Sequence, residues 1–313
     1  MVIKQLKKAE RFSLVKVLAM NLLENAEKLL SIILKAIEES RVDPLNEDSL
    51  IVLGSIFNLF NRRLVKIRNF KKLVFVGDLH GDFESLERVY RRYSSVEQVN
   101  VVFLGDYVDR GPRQLETLLG VLYWKMQQPE KVVMLRGNHE SPSMNLSYGF
   151  LSALKKRLGG IYSVFYRDFI EKLYLRLPVA MLAESNEKRI FAVHGGLPIK
   201  PFKIEEIEEI DSEVEPRNEI LMQLLWNDPN DKVKTYANSY RGYGIYFFGN
   251  EIFEKFIEEN KIDLMVRAHE PVEGVASMFG NRLYTVFTCR YYGIKPAVLE
   301  VKQSLEVNPV FLE

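Results

Sequence analysis

Apolar residues recur three and four positions apart through the first part of the chain, then give way to short continuous runs. Phe12, Val15, Val17, Leu18, Leu22, Leu23, Leu29, Leu30, Ile33 and Leu34 fall mostly on one helical face, with Lys and Glu opposite. Asp43-Pro44 interrupts this pattern, because the residue before a proline is pushed away from helical geometry. A second helix is expected from Glu47 to Arg62. Residues 1–70 are therefore read as a helical extension packed on a main domain of residues 71–313. From Lys71 the pattern predicts strands at 71–77, 99–105 and 131–135, separated by helices at 83–93 and 113–127. Such a βαβαβ run implies a parallel sheet with right-handed crossovers.

Helices are expected at 143–157 and 160–174. Strands at 177–183 and 189–194 flank Glu184-Ser185-Asn186-Glu187-Lys188, which reads as a hairpin turn. The acidic run from Glu205 to Glu215 reads as solvated surface. A helix at 250–260 and strands at 262–268, 282–288, 296–302 and 307–312 close the chain. No repeat, low-complexity tract or Gly/Ser linker divides the main domain.

Composition narrows the class. A chain of 313 residues can bury a sizeable core without staples. A formal charge of +1 gives no global pull toward nucleic acid or an anionic membrane, and neither is expected as a partner. Leu14 to Leu34 is apolar-rich, but Lys16, Glu24, Glu27 and Lys28 make it too polar to span a bilayer. Cys289 is the one cysteine, so an intramolecular disulfide and a thiolate cluster are both excluded. A reducing, cytoplasmic setting is expected.

The chemistry lies where the apolar runs end. The first ends Gly77-Asp78-Leu79-His80-Gly81, and the second Gly105-Asp106-Tyr107-Val108-Asp109-Arg110-Gly111. The third ends Arg136-Gly137-Asn138-His139-Glu140, and later ones His194-Gly195-Gly196 and Arg267-Ala268-His269-Glu270. The chain has four histidines, and all four lie in these loops. In α/β sheets the carboxyl ends of strands are where ligands bind. Oxygen and imidazole donors together suit Mn, Fe or Zn better than Ca or Mg. The fitting chemistry is two-metal hydrolysis, in which two divalent ions share a carboxylate and activate a water. Arg110 and Arg241 are candidates to neutralise phosphate oxygens. Aromatic residues Tyr236, Tyr240, Tyr243, Tyr246, Phe247 and Phe248 crowd around Arg241, lining either a substrate groove or the core.

These motifs, in this order, resemble the phosphoprotein phosphatases, serine/threonine phosphatases within the calcineurin-like metallophosphoesterases. The likeness runs from Lys71 to Glu300 and includes Leu225-Trp226-Asn227-Asp228-Pro229. It implies an α/β fold with a central β-sandwich flanked by helices. It implies two divalent metal ions per chain, manganese first, with iron, zinc or cobalt as alternatives. Asp78 and His80 would bind the first ion, Asp106 would bridge, and Asn138, His194 and His269 would complete the second. His139 would be the general acid, with Asp109 holding its tautomer. Arg110, Arg241 and Asn138 would contact the phosphoryl group. The implied reaction is in-line attack by metal-bound hydroxide on phosphoserine or phosphothreonine in proteins. The family's Ser-Ala-Pro-Asn-Tyr loop is replaced by the shorter Thr288-Cys289-Arg290-Tyr291, which gives Tyr291 the active-site tyrosine position unless Tyr292 takes it. Cys289 in that loop reads as a small buried filler. A dinucleoside polyphosphate hydrolase and a non-catalytic metal-binding scaffold are the competing functions.

Overall fold

The computed structural model describes residues 21–312. Phe12, Val15, Val17 and Leu18, expected on the first helical face, lie outside the described residues. Helix α1 spans Leu22–Val42 and is capped by Asn21, whose side chain accepts from the Glu24 amide at 2.9 Å. Its buried face, including Leu22, Ala26, Leu29, Leu30, Ile33 and Ile37, repeats at helical spacing. Helix α2 spans Glu47–Phe57. The chain then departs from the helical reading of 1–70, because Leu64–Arg68 forms strand β1. Only Val65 to Arg68 alternate between apolar and basic, too few to stand out from the helix before them, and pairing with a distant strand decides their conformation.

Strand β2 (Lys72–Val76), helix α3 (Phe83–Tyr93), strand β3 (Val99–Phe103), helix α4 (Gln114–Gln127) and strand β4 (Val132–Met134) follow in order. The expected helix at 143–157 is two helices, α5 (Pro142–Tyr148) and α6 (Phe150–Leu158). Gly149 breaks it by adopting φ 108°, which a side chain would strain. The segment from Tyr162 to Tyr174 stays helical but contains a π turn at Tyr166–Ile170. Strands β5 (Ala180–Ser185) and β6 (Lys188–Val193) form the expected hairpin, and Asn186 and Glu187 take left-handed backbone at its tip. Helix α7 (Glu219–Trp226) leads to the short strands β7 (Asp228–Pro229), β8 (Tyr236–Asn238) and β9 (Tyr246–Phe248). Helix α8 (Asn250–Asn260) and strands β10 (Leu264–Arg267), β11 (Val275–Met278), β12 (Leu283–Val286), β13 (Ala297–Lys302) and β14 (Val307–Phe311) complete the chain.

The strands make two stacked sheets, ordered β1-β5-β6-β10-β12-β11 and β14-β13-β2-β3-β4, plus a small sheet β7-β9-β8. Alternation along β2 shows why. Leu73 and Phe75 face the core between the large sheets, where they meet Met181, Ile190 and Val266. Val74 and Val76 face the opposite way, toward α1, α3 and α4. Buried on both faces, β2 reads as an unbroken apolar run. On the outer face of the six-stranded sheet, Leu221, Leu225, Phe253 and Phe256 cover Phe191 and Met265.

The acidic run is not wholly solvated. Ile204, Ile207 and Ile210 are buried, spaced along a 3₁₀ turn at Ile204–Glu209 whose outer face is acidic. Among the described residues, no helix is long and apolar enough to cross a membrane.

Candidate active site at the carboxyl edge of the sandwich

Strands β2, β3 and β4 run parallel, as do β6, β10 and β12, so each group ends at one edge of its sheet. An isolated parallel bridge from Asp78 to Phe287 joins the two edges. The loops there carry unusual backbone. His80, Asp106, Asp109, Arg110 and His269 all have φ between 45° and 70°. Such left-handed conformations in non-glycine residues are costly, and surrounding bonds hold them in place. The Leu79 and His80 amides both donate to the Asp106 carbonyl, at 3.0 and 2.9 Å. Glu140 Oε2 accepts from the Asp106 and Gly137 amides, each at 2.8 Å, and Oε1 accepts from Tyr107 at 3.0 Å. Three donors on a buried carboxylate tie the β3 and β4 loops together. Gly137 is obligatory here, since a Cβ would lie 2.1 Å from Asp106 Oδ1.

The site side chains are buried and face one another as acceptors. His80 Nδ1 donates to the Val108 carbonyl at 2.9 Å, which leaves Nε2 as a lone pair. That lone pair points at Asp78 Oδ2, 3.6 Å away, and Asp106 Oδ2, 3.5 Å away. On the other side of Asp106, His194 Nδ1 lies 3.0 Å from the Leu104 carbonyl. His194 Nε2 lies 2.9 Å from Asn138 Oδ1 and 3.4 Å from Asp106 Oδ1. His269 Nε2 is buried with no hydrogen-bond partner. These are two sets of convergent acceptors with Asp106 common to both. His80, Asp106 and His139 form one group able to hold a metal ion, and Asp106, His194 and His269 form the other. An orphaned buried nitrogen and acceptors without donors are what a cation site requires, so the residues fit divalent ions.

Electrostatics agree with that crowding. Burial, then the neighbouring Asp106 charge, pushes the Asp78 carboxyl up to about 6. Burial, reinforced by His139, drives the His80 imidazole down to about 3, which keeps it neutral and able to ligate.

His139 stands beside these groups. Its Nδ1 lies 2.8 Å from Asp109 Oδ2, and its amide donates to Asp106 Oδ1 at 2.9 Å. Asp109 is fixed by the Phe150 amide at 3.0 Å and by Asn145 Nδ2 at 3.0 Å. Tyr166 and Tyr174 in turn donate to Asn145 Oδ1, at 2.8 and 3.0 Å. Arg110 is at the exposed rim, its guanidinium 4.5 Å from the Tyr148 ring. Arg241 Nε donates to Asp228 Oδ2 at 2.6 Å, while Arg267 binds Asp228 Oδ1 at 2.8 Å.

Sequence reasoning placed the ligand-type residues but missed their supports: Glu140, Asn145, Asp228 and Arg267. Glu140 and Asp228 lay inside motifs already singled out, whereas Asn145 had no local signal. The tyrosine choice changes. Tyr291 is 48% exposed and lies against Arg290, whereas Tyr292 stacks on His80 at 5.9 Å and faces Arg110. Arg290 holds this loop with a fork onto the buried Asp82, Nη2 to Oδ1 at 2.8 Å and Nε to Oδ2 at 3.0 Å. Cys289 is buried, and burial pushes its thiol up to about 12, which suits an inert filler. Of the aromatic cluster, Phe248 is core, while Tyr236, Tyr240 and Tyr243 are exposed.

Comparison with known proteins gives the same picture. The family model for calcineurin-like phosphoesterases matches residues 71–273. A serine/threonine-protein phosphatase 4 catalytic subunit from Kluyveromyces lactis is 35% identical over 243 residues, covering 76% of each chain. The PP2A-like serine/threonine-protein phosphatase PPG1 of Candida albicans is 36% identical over 235 residues, covering 73% of this chain and 55% of the relative. This chain thus spans little more than half of that relative's length. Among solved structures, a Saccharomyces cerevisiae serine/threonine phosphatase with similarity to human PP5 aligns with a TM-score of 0.74 at 27% identity, covering 91% of this chain and 89% of that one. The chain belongs to the calcineurin-like phosphoesterase family, whose members use divalent metal ions.

Proposed function

We propose that this member of the calcineurin-like phosphoesterases is a metal-dependent phosphatase acting on phosphoserine and phosphothreonine in proteins. The observation that carries the reading is the pair of acceptor sets sharing Asp106, the first of which includes His139, whose Nδ1 is held by Asp109. Asp78, His80 and Asp106 would hold one ion, and Asp106, Asn138, His194 and His269 the other, with manganese the first candidate. Bound there, divalent ions supply a water of lowered pKa and neutralise phosphate charge. The chain's own residues do the rest. Asp109 takes Nδ1–H of His139, so Nε2 is the atom free to pass a proton to the departing seryl or threonyl oxygen. Asn145 keeps Asp109 from rotating away. Arg110 and Arg241 clamp phosphoryl oxygens, each already held by a partner, Tyr148 and Asp228. Asn138 also contacts the phosphoryl group, and Tyr292, in place of Tyr291, covers the site.

A protein substrate is supported by the likeness to serine/threonine-protein phosphatases and by the exposed Tyr240 and Tyr243 on either side of Arg241, which offer a surface to flanking residues. The catalytic unit is residues 71–313, joined by β1 from the preceding extension, and the lone buried Cys289 suits a reducing cytoplasmic setting. The test is turnover of phosphoserine, phosphothreonine and phosphotyrosine peptides and a dinucleoside tetraphosphate, each with Mn, Fe, Zn or Co. Preference for the first two peptides is expected. Preference for the dinucleotide would overturn the reading.

A further inference from the structure

The end of the sandwich opposite the acceptor sets holds an open cleft of about 1190 Å³. It lies between β1, the edge of the six-stranded sheet, and β4, the edge of the five-stranded one. Six lysine and arginine side chains line it, against two glutamates, Glu97 and Glu130. Lys66, Arg68 and Lys71 have no ion-pair partner among the described residues, and all three are exposed. At the back, Lys131 Nζ is held by the carbonyls of Tyr93, Ser94 and Val96, which fixes its charge in the wall.

The backbone of β1 adds a second feature. The Arg63 carbonyl and the Asn69 amide bond the β5 side, at Val179 and Glu184. Strand geometry alternates these directions, so the N–H and C=O groups of residues 64, 66 and 68 point to the opposite edge, which no strand pairs among the described residues. An unpaired edge bearing outward lysine and arginine repels basic strands and accepts an acidic one.

We propose that this edge is a docking site for an extended acidic segment of a partner protein, which adds to β1 as a further strand with its carboxylates on Lys66, Arg68 and Lys71. A nucleic acid or polyphosphate would use the charges but leave the strand edge unsatisfied. The chain's own residues 1–20 do not match, because they carry Lys4, Lys7, Lys8, Arg11 and Lys16 against Glu10.

The test uses the full chain and a fluorescent peptide of about ten alternating Glu and Val residues, followed by anisotropy. The Glu/Val peptide is expected to bind, and its Lys/Val counterpart not to. Lys66→Glu with Arg68→Glu should weaken binding about tenfold or more, a loss of at least ~1.4 kcal/mol. Lys66→Pro removes an edge N–H without touching the β5 side, so it should weaken binding more than Lys66→Ala. A thermal melt establishes that each variant is folded, and Arg68→Pro against Arg68→Ala repeats the comparison if Lys66→Pro is not. The proposal is overturned by absence of binding at about 0.1 M salt, where exposed charges are only partly screened. It is equally overturned if the proline and alanine variants bind alike, or if inorganic polyphosphate competes as tightly as the peptide.

Discussion

The two ends of the sandwich are built on opposite rules. At the carboxyl edge, buried groups meet within 3.6 Å, several on left-handed backbone, and a methyl group at residue 137 has no room. At the other end, charges are exposed along a strand edge and the cleft is open. The first is a site of position, where an error of an ångström breaks geometry. The second is a site of charge and of free backbone groups, tolerant of side-chain detail. Strands β2, β3 and β4 end at the chemistry and begin at the cleft, whereas β1, which supplies the strand edge, runs parallel to β5 and antiparallel to β6 and carries none of the site loops.

Removing metal should separate the ends most sharply. Chelation is expected to abolish phosphatase activity and Mn to restore it, while peptide binding at β1 is unchanged; full activity after chelation would break the comparison. Next, His139→Ala is expected to lower kcat by about 10²–10⁴ with a smaller effect on KM, as loss of a general acid does. An unchanged kcat on a phosphopeptide would give proton transfer to another group. Gly137→Ala should destabilise the fold by about 1–3 kcal/mol through overpacking, read as a fall in the denaturant midpoint, and reduce activity.

Asp82→Asn probes the loop over the site. Burial pushes the Asp82 carboxyl up, but hydrogen bonds from Arg290 and Ser85 more than offset it, so it sits below the ordinary carboxylate range. A carboxyl lowered in the folded state stabilises above its unfolded pKa, and that stability is lost as pH falls through the folded value. Asp82→Asn should therefore cost about 1–3 kcal/mol near neutrality, and the Tm gap from wild type should close in acid. A gap independent of pH would remove the ion pair from the account. Smallest of all, Lys66→Ala should change stability by less than about 0.5 kcal/mol and leave turnover intact, measured by melting and a phosphopeptide assay.

Much of this was legible along the chain because β2, β3 and β4 are buried on both faces and announce themselves as apolar runs. The loops that end them carry Asp78, His80, Asp106, Asn138 and His139 in contiguous motifs. Less visible were elements whose conformation depends on remote partners. Strand β1 exists because β5 pairs with it, and the isoleucines at 204, 207 and 210 are buried behind a row of glutamates. Tyr291 and Tyr292 are adjacent and chemically alike, so the packing of the whole loop, including the Arg290–Asp82 clamp and Phe287 against Tyr292, decides which ring meets His80.

By itself the sequence determined which side chains end the strands and which family they belong to, since strand period and loop composition are local properties. Tertiary structure decided what those side chains do to one another: that Asp106 serves both acceptor sets, that Asn145 holds Asp109, and that β1 leaves an edge without a partner strand among the described residues. Those are relations between segments tens to hundreds of residues apart, and only packing brings such segments within hydrogen-bonding distance.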